Sequence, residues 1–183
     1  MVPPRLGAPW TYADLYSFEP NQGNTDGDEV TSSVIFEDAG NAYSTTITGG
    51  TSNFGTLFEL VPPGWALDVL YNYTFSGGYS TRAPLTVDAE GNIYGAAGGG
   101  GFEGSQECEL SGCGTVYKIA NVGGVWQETV LHTFIGEQDG LDGYGPGAPL
   151  TLEKGVLYGT TQRGGTPTDS EDFGFGTIFA IIP

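Results

Sequence analysis

Internal repetition constrains this chain more than any other feature. Three tryptophans, Trp10, Trp65 and Trp126, open segments of one pattern, each with an aromatic residue eight positions on: Phe18, Tyr73 and Phe134. An apolar stretch follows in each copy, Ser33–Asp38, Ala83–Asp88 and Ala148–Glu153. Next come turn-and-strand units, Gly40–Thr46, Gly91–Ala97 and Gly155–Thr161, and after a loop of variable length a fourth element: Gly55-Thr-Leu-Phe58, Gly114-Thr-Val-Tyr117 and Gly176-Thr-Ile-Phe179. The tryptophans lie 55 and 61 residues apart, so the 183 residues divide into copies at about 10–60, 65–121 and 126–183. Residues 1–9 read as a closing segment that continues from the C-terminal strand. Copy one runs on through Phe58-Glu-Leu-Val-Pro-Pro63, the chain ends on Phe179-Ala-Ile-Ile-Pro183, and it begins Met1-Val-Pro-Pro4.

Each copy holds four short strand candidates separated by Gly, Asn, Asp or Pro turns. Thr115–Ile119 and Asn92–Ala96 alternate with the period of two that marks a half-buried strand. Gly-Asn at 40–41 and 91–92 supplies the positive φ of tight hairpins. No apolar stripe of helical period and length appears, and 32 glycines and 11 prolines suit short strands. The expected fold is all-β and β-propeller-like, with three four-stranded blades per chain. Propellers close with about four to eight blades. Three blades leave open edges, so completion by oligomerisation is expected. A homodimer completes a six-bladed ring with twofold symmetry, and head-to-tail pairing that does not close gives a polymer. A compact three-bladed monomer, or a piece of a longer array, is the third arrangement.

The combination Trp-x4-Leu-Tyr-x-Phe, Gly-Asn-x-Tyr-Gly-Thr-Thr, a Gly-Gly loop and Gly-Thr-Val-Phe resembles the GloVer tandem repeat of bacterial surface proteins. The resemblance covers nearly the whole chain. It implies secretion and a propeller-like fold, and it implies no particular activity or catalytic residues. Copy one departs from the pattern with Ser44 in place of Gly, copy three with Val156 in place of Asn, and an anchor domain is missing.

Charge narrows the partners. With 22 Asp+Glu against 5 Lys+Arg the net charge is −17, which excludes the basic footprint that nucleic acid needs. Anionic membrane surfaces are disfavoured equally, and no apolar run approaches the roughly 18 residues of a membrane span. The N-terminus lacks the apolar stretch of a signal peptide. Cys108 and Cys113 are too few for a zinc site and close enough for a local disulfide, with two free thiols as the alternative. A disulfide places the chain in an oxidising compartment, secreted or at the cell surface.

Two acidic glycine loops carry the candidate chemistry. One holds Asp26, Asp28 and Glu29, and the other Asp139 and Asp142, at corresponding places in copies one and three. Such spacing suits Ca2+, which takes about six to eight oxygens, and it equally suits solvated Asp-Gly turns. The same acids are candidates for the carboxylate pair of a polysaccharide hydrolase or lyase. The single histidine, His132, stands where the other copies have Tyr, and reads as another ring at a strand position. The loops between the third and fourth elements differ in length on a fixed frame, a pattern typical of recognition. They contribute Phe102, Phe173 and Phe175, and with Tyr144 these are the candidate ligand-binding residues. The expected function is an extracellular binding or assembly module with a glycan or cell-surface polymer as ligand. A self-assembling fibre and a polysaccharide-active enzyme are the alternatives, with no catalytic residue assigned.

Overall fold

The computed structural model describes residues 12–18, 24–37, 39–101, 108, 111–136, 142–165 and 174–183. Among them are strands β1 (Asp28–Val30), β2 (Ile35–Phe36), β3 (Ala42–Thr48), β4 (Thr56–Val61), β5 (Ala66–Asn72), β6 (Thr86–Val87), β7 (Ile93–Ala97), β8 (Thr115–Val122), β9 (Val125–Thr133), β10 (Gly143–Pro146), β11 (Thr151–Glu153), β12 (Val156–Gly164) and β13 (Ile178–Ile181), and no α-helix. The fold is all-β. The first sheet runs β1-β3-β4-β5 with β2 also on β3, the second β6-β7-β8-β9, and the third β10-β12-β11 with β13 also on β12. Four strands per sheet were expected; the short β1 adds a fifth to the first.

Local sequence explains the hairpins. Gly40, Gly91 and Gly155 all adopt positive φ, at 92°, 82° and 78°. Between β8 and β9, Gly123 and Gly124 stand at 64° and 90°, the two left-handed residues of a type I′ turn whose twist matches the strands.

Sheets and sequence copies are one strand out of phase. β5, which follows Trp65, pairs with β4, and β9, which contains Trp126, pairs with β8. The Trp-led segment of a copy therefore closes the sheet of the copy before it. Both pairings carry an irregularity at the same place, between Leu57 and Phe58 and between Val116 and Tyr117. In the third sheet, no strand among the described residues pairs with the free edge of β13.

The second sheet lies between the other two. One core joins Tyr43, Leu57 and Tyr73 of the first sheet to Ile93, Tyr117 and Ile119 of the second. Another joins Tyr94, Val116 and Phe134 of the second to Leu150, Leu157 and Phe179 on the third. A third cluster lies on the far face of the first sheet, where Phe18 packs over Ala42, Phe58 and Leu60. Central strands are buried on both faces, which explains why β7, Ile-Tyr-Gly-Ala-Ala, shows little polarity and is buried throughout.

Candidate functional site

The repeat builds one joint three times. Six residues after each tryptophan stands a ring bonded to a carboxylate. Tyr16 Oη donates to Asp26 Oδ2 at 2.8 Å, Tyr71 Oη donates to Glu128 Oε2 at 3.0 Å, and His132 Nε2 lies 3.2 Å from Asp142 Oδ1. Each of these rings meets the aromatic two residues on nearly edge-to-face: Tyr16–Phe18 at 5.0 Å, Tyr71–Tyr73 at 5.6 Å and His132–Phe134 at 4.6 Å. That second ring then meets the aromatic of the next Gly-Thr-x-Phe/Tyr element: Phe18–Phe58 at 5.2 Å, Tyr73–Tyr117 at 5.4 Å and Phe134–Phe179 at 5.3 Å. Tilted aromatic contacts of this kind add to their area burial.

Cross-strand glycines make room for the receiving ring. Gly95 lies opposite Tyr117 and Gly159 opposite Phe179 in register. A Cβ on either glycine would overlap the facing ring. At the matching position of the first sheet Ser44 is opposite Phe58, fully buried, with its Oγ 3.4 Å from the Ser33 carbonyl.

The carboxylates serve the joint. Asp142 accepts from the backbone N–H of Ile135 and of Gly143, both at 3.1 Å, in addition to its contact with His132. Glu128 is half-buried between sheets. Burial holds its carboxyl above the usual range, opposed by the hydrogen bond from Tyr71. Burial and the Glu128 charge push the Tyr71 hydroxyl up to about 12. Tyr73 and Tyr117 share a buried Oη···Oη hydrogen bond of 2.8 Å, and burial raises both phenols. Among the described residues, Glu128 Oε1 and Asp26 Oδ1 are buried without a hydrogen-bond partner.

The sequence-predicted residues disperse. Asp26, Asp28 and Glu29 stay together beside the first sheet, where Asp28 Oδ1 accepts the Glu29 N–H at 2.8 Å and Glu29 has a positive φ of 59°. Asp142 adjoins the third sheet, so it and the Asp26–Glu29 group lie at different sheets with the second between them. Among the described residues no three His, Cys, Asp or Glu gather as a metal-binding group. Tyr144 lies on β10, packs into the core between the second and third sheets, and accepts a 3.5 Å contact from Arg163 Nη1. Phe175 is exposed in the approach to β13. Asp139, Phe102 and Phe173 lie outside the described residues. Cys108 and Cys113 are joined in a disulfide, as expected.

Two further features stand out. The first is the free face of the third sheet. Ile178 occupies the repeat position of Leu57 and Val116; those two are 0 % exposed and Ile178 is 84 % exposed. Tyr158 likewise matches Tyr43 and Tyr94, which are buried, and is 43 % exposed. The second is a pair of surface clefts of opposite character. One, of about 620 Å³, lies between hairpin turns of the first and second sheets and carries Glu37, Asp88 and Glu90. Burial raises the Asp88 carboxyl, but hydrogen bonds from Asn92, Tyr94 and the Glu90 N–H outweigh it and hold the group below the usual range. The other, of about 280 Å³, lies between the second and third sheets and carries Arg82. The regular spacing of ten residues in Tyr16–Asp26 and His132–Asp142 was a readable signal for the joint. The clefts had none, because their walls come from different copies.

No curated protein matches the chain. The model of the Gloeobacter/Verrucomicrobia repeat matches residues 8–183, the span over which the joints recur, and the chain belongs to that repeat family.

Proposed function

We propose that this chain is an extracellular assembly module whose third sheet is completed by the Trp-led segment of a second copy. The observation that carries the reading is Ile178, 84 % exposed at a position that is fully buried in both other sheets. Two features of the molecule are complementary. The β13 edge of the third sheet pairs with no strand but β12 among the described residues. Residues 12–18 are a Trp-led segment that is not part of any sheet, although Phe18 already makes the ring contact to Phe58 that Phe134 makes to Phe179.

The register of the partner strand follows from the existing pairs. Leu57 faces Tyr71 and Val116 faces His132, six residues after the tryptophan in each case. By the same rule Ile178 of one copy faces Tyr16 of the next, and Ala180 faces Ala13. Covering an Ile side chain contributes about 1.5–3 kcal/mol, and the paired edge satisfies backbone groups that otherwise face water. The same joint generates a closed ring or a head-to-tail fibre, depending on whether the rotation closes. The disulfide supports an oxidising, extracellular setting.

Light scattering across a concentration series tests the reading. Masses at multiples of 19.1 kDa are expected, with Ile178→Asp returning the chain to monomer. A monomer at every concentration would sink it.

A further inference from the structure

The cleft between the second and third sheets has a composition at odds with the rest of the chain. The protein carries 22 Asp+Glu, yet among the described residues no Asp or Glu lines this cleft. Its one charged side chain is Arg82, which is exposed and whose guanidinium has no ion-pair partner among the described residues. At the preceding joint the corresponding residue is Ser32, and its Oγ closes the gap by donating to the Ala83 carbonyl at 3.0 Å. Replacing that short hydroxyl by an arginine leaves a recess where the earlier joint is bridged.

The recess is preformed. Tyr79 and Gly99 exchange backbone hydrogen bonds of 3.0 and 3.1 Å along one side. On the other, the Gly145 N–H donates to the Cys113 carbonyl at 2.9 Å, tying the wall to the disulfide loop that supplies Ser111. The Tyr79 ring is held by Phe54 at 5.1 Å and Phe75 at 5.8 Å. Gln162, Ser80 and Ser111 add amide and hydroxyl groups.

We propose that this cleft binds a carboxylate-bearing saccharide, a uronate unit of an acidic polysaccharide, with its carboxylate on Arg82. A guanidinium offers the two parallel donors that match a carboxylate. A rigid aromatic ring beside hydroxyl and amide groups suits a sugar, which has an apolar ring face and a polar rim. At about 280 Å³ the cleft has room for one sugar ring, and it is open to solvent. The net charge of −17 repels anions generally, so anion binding by this protein reports a local site. The proposal is independent of the assembly joint, because β13 takes no part in the lining.

The test is titration calorimetry with trimers of galacturonate, glucuronate and mannuronate, their methyl esters, and acetate. At least one acidic trimer is expected to bind. Its methyl ester, and the Arg82→Gln variant, are expected to lose about tenfold or more, the worth of a charge-assisted pair. Gly98→Leu provides a second route. The Gly98 backbone is outside the left-handed region and its Cβ would have only ordinary contacts, at 3.6 and 3.7 Å. That side chain enters the cleft while Arg82 stays, and binding is expected to fall with the unfolding midpoint unchanged. The proposal is overturned if no acidic trimer binds at millimolar concentration, if ester and acid bind alike, if Arg82→Gln binds as wild type, or if acetate competes as well as the trimer.

Discussion

Gly77, in the turn after β5, and Glu128, on β9, compete for one volume: a Cβ on Gly77 would overlap the Glu128 carboxylate. Gly77 holds the repeat position of Asp26 and Asp142, as its successor Gly78 matches Gly27 and Gly143, each pressed onto a threonine. In copies one and three the loop brings its own carboxylate back to the ring that follows the tryptophan. In copy two the loop is four residues shorter, the position is glycine, and the carboxylate arrives from β9 of the next sheet. One hydrogen-bonding role is thus filled twice from within a loop and once across a joint.

Gly77→Ala should therefore displace Glu128 and destabilise the protein by about 1–3 kcal/mol, the usual cost of overfilling a packed site. Glu128→Ala opens the same space, so the pair should couple by at least about 0.5 kcal/mol in urea unfolding of the two single variants and the double. Additive effects would mean that the two residues do not share the volume.

The raised carboxyl of Glu128 gives a pH signature. A group whose folded pKa lies above its unfolded value binds more protons when folded, so stability falls as pH rises through the window above the ordinary glutamate value of 4.5. Glu128→Gln keeps an acceptor for the Tyr71 hydroxyl and removes the charge. Relative to wild type it should gain stability as pH rises above the ordinary glutamate range. A difference between the two proteins that stays constant with pH would contradict the burial of the charge.

The Tyr-Gly step of the repeat is a packing requirement. Gly95→Ser puts a side chain into the Tyr117 ring, which is fully buried and bonded to Tyr73. A loss of about 1–3 kcal/mol in chemical denaturation is expected. Ser44→Ala removes only contacts of 3.4 and 3.5 Å from the corresponding place and should cost under about 1 kcal/mol. Equal losses at the two positions would refute the assignment.

Much of this architecture was legible because the repeat prints it three times. The strands, the positive-φ hairpin glycines and the disulfide all follow from local sequence, where residue type and conformation are tied directly. The phase of the sheets was not legible. A Trp-led segment reads as the first element of its own copy, and only pairing shows that β5 closes the sheet begun by β2. His132 did read correctly as a ring at a strand position, since edge packing on Phe134 is the role Tyr71 plays on Tyr73. The acids carried more than one reading, Ca2+ ligands, a carboxylate pair or solvated Asp-Gly turns, because sequence shows an Asp and its neighbours; the ring partners of Asp26 and Asp142 stand ten residues earlier. Arg82 carried no signal at all: its significance lies in a lining that, among the described residues, holds no acid, and that neighbourhood is assembled from two copies.

The sharpest contrast lies between residues that the repeat makes equivalent. Leu57 is fully buried against the second sheet, and Leu57→Ala should cost about 2–5 kcal/mol by lost transfer energy and a residual cavity. Ile178→Ala removes atoms that face solvent in the single chain, so dilute protein should change by no more than about 0.5 kcal/mol. At concentrations where copies associate, the same substitution should lower the midpoint of assembly in sedimentation velocity while Leu57→Ala acts on folding itself. Unfolding measured at two protein concentrations separates the effects, since only a residue buried between copies makes stability depend on concentration. If Ile178→Ala destabilises the dilute chain as much as Leu57→Ala, the third sheet is already covered within one molecule, and the open edge is not the site of assembly.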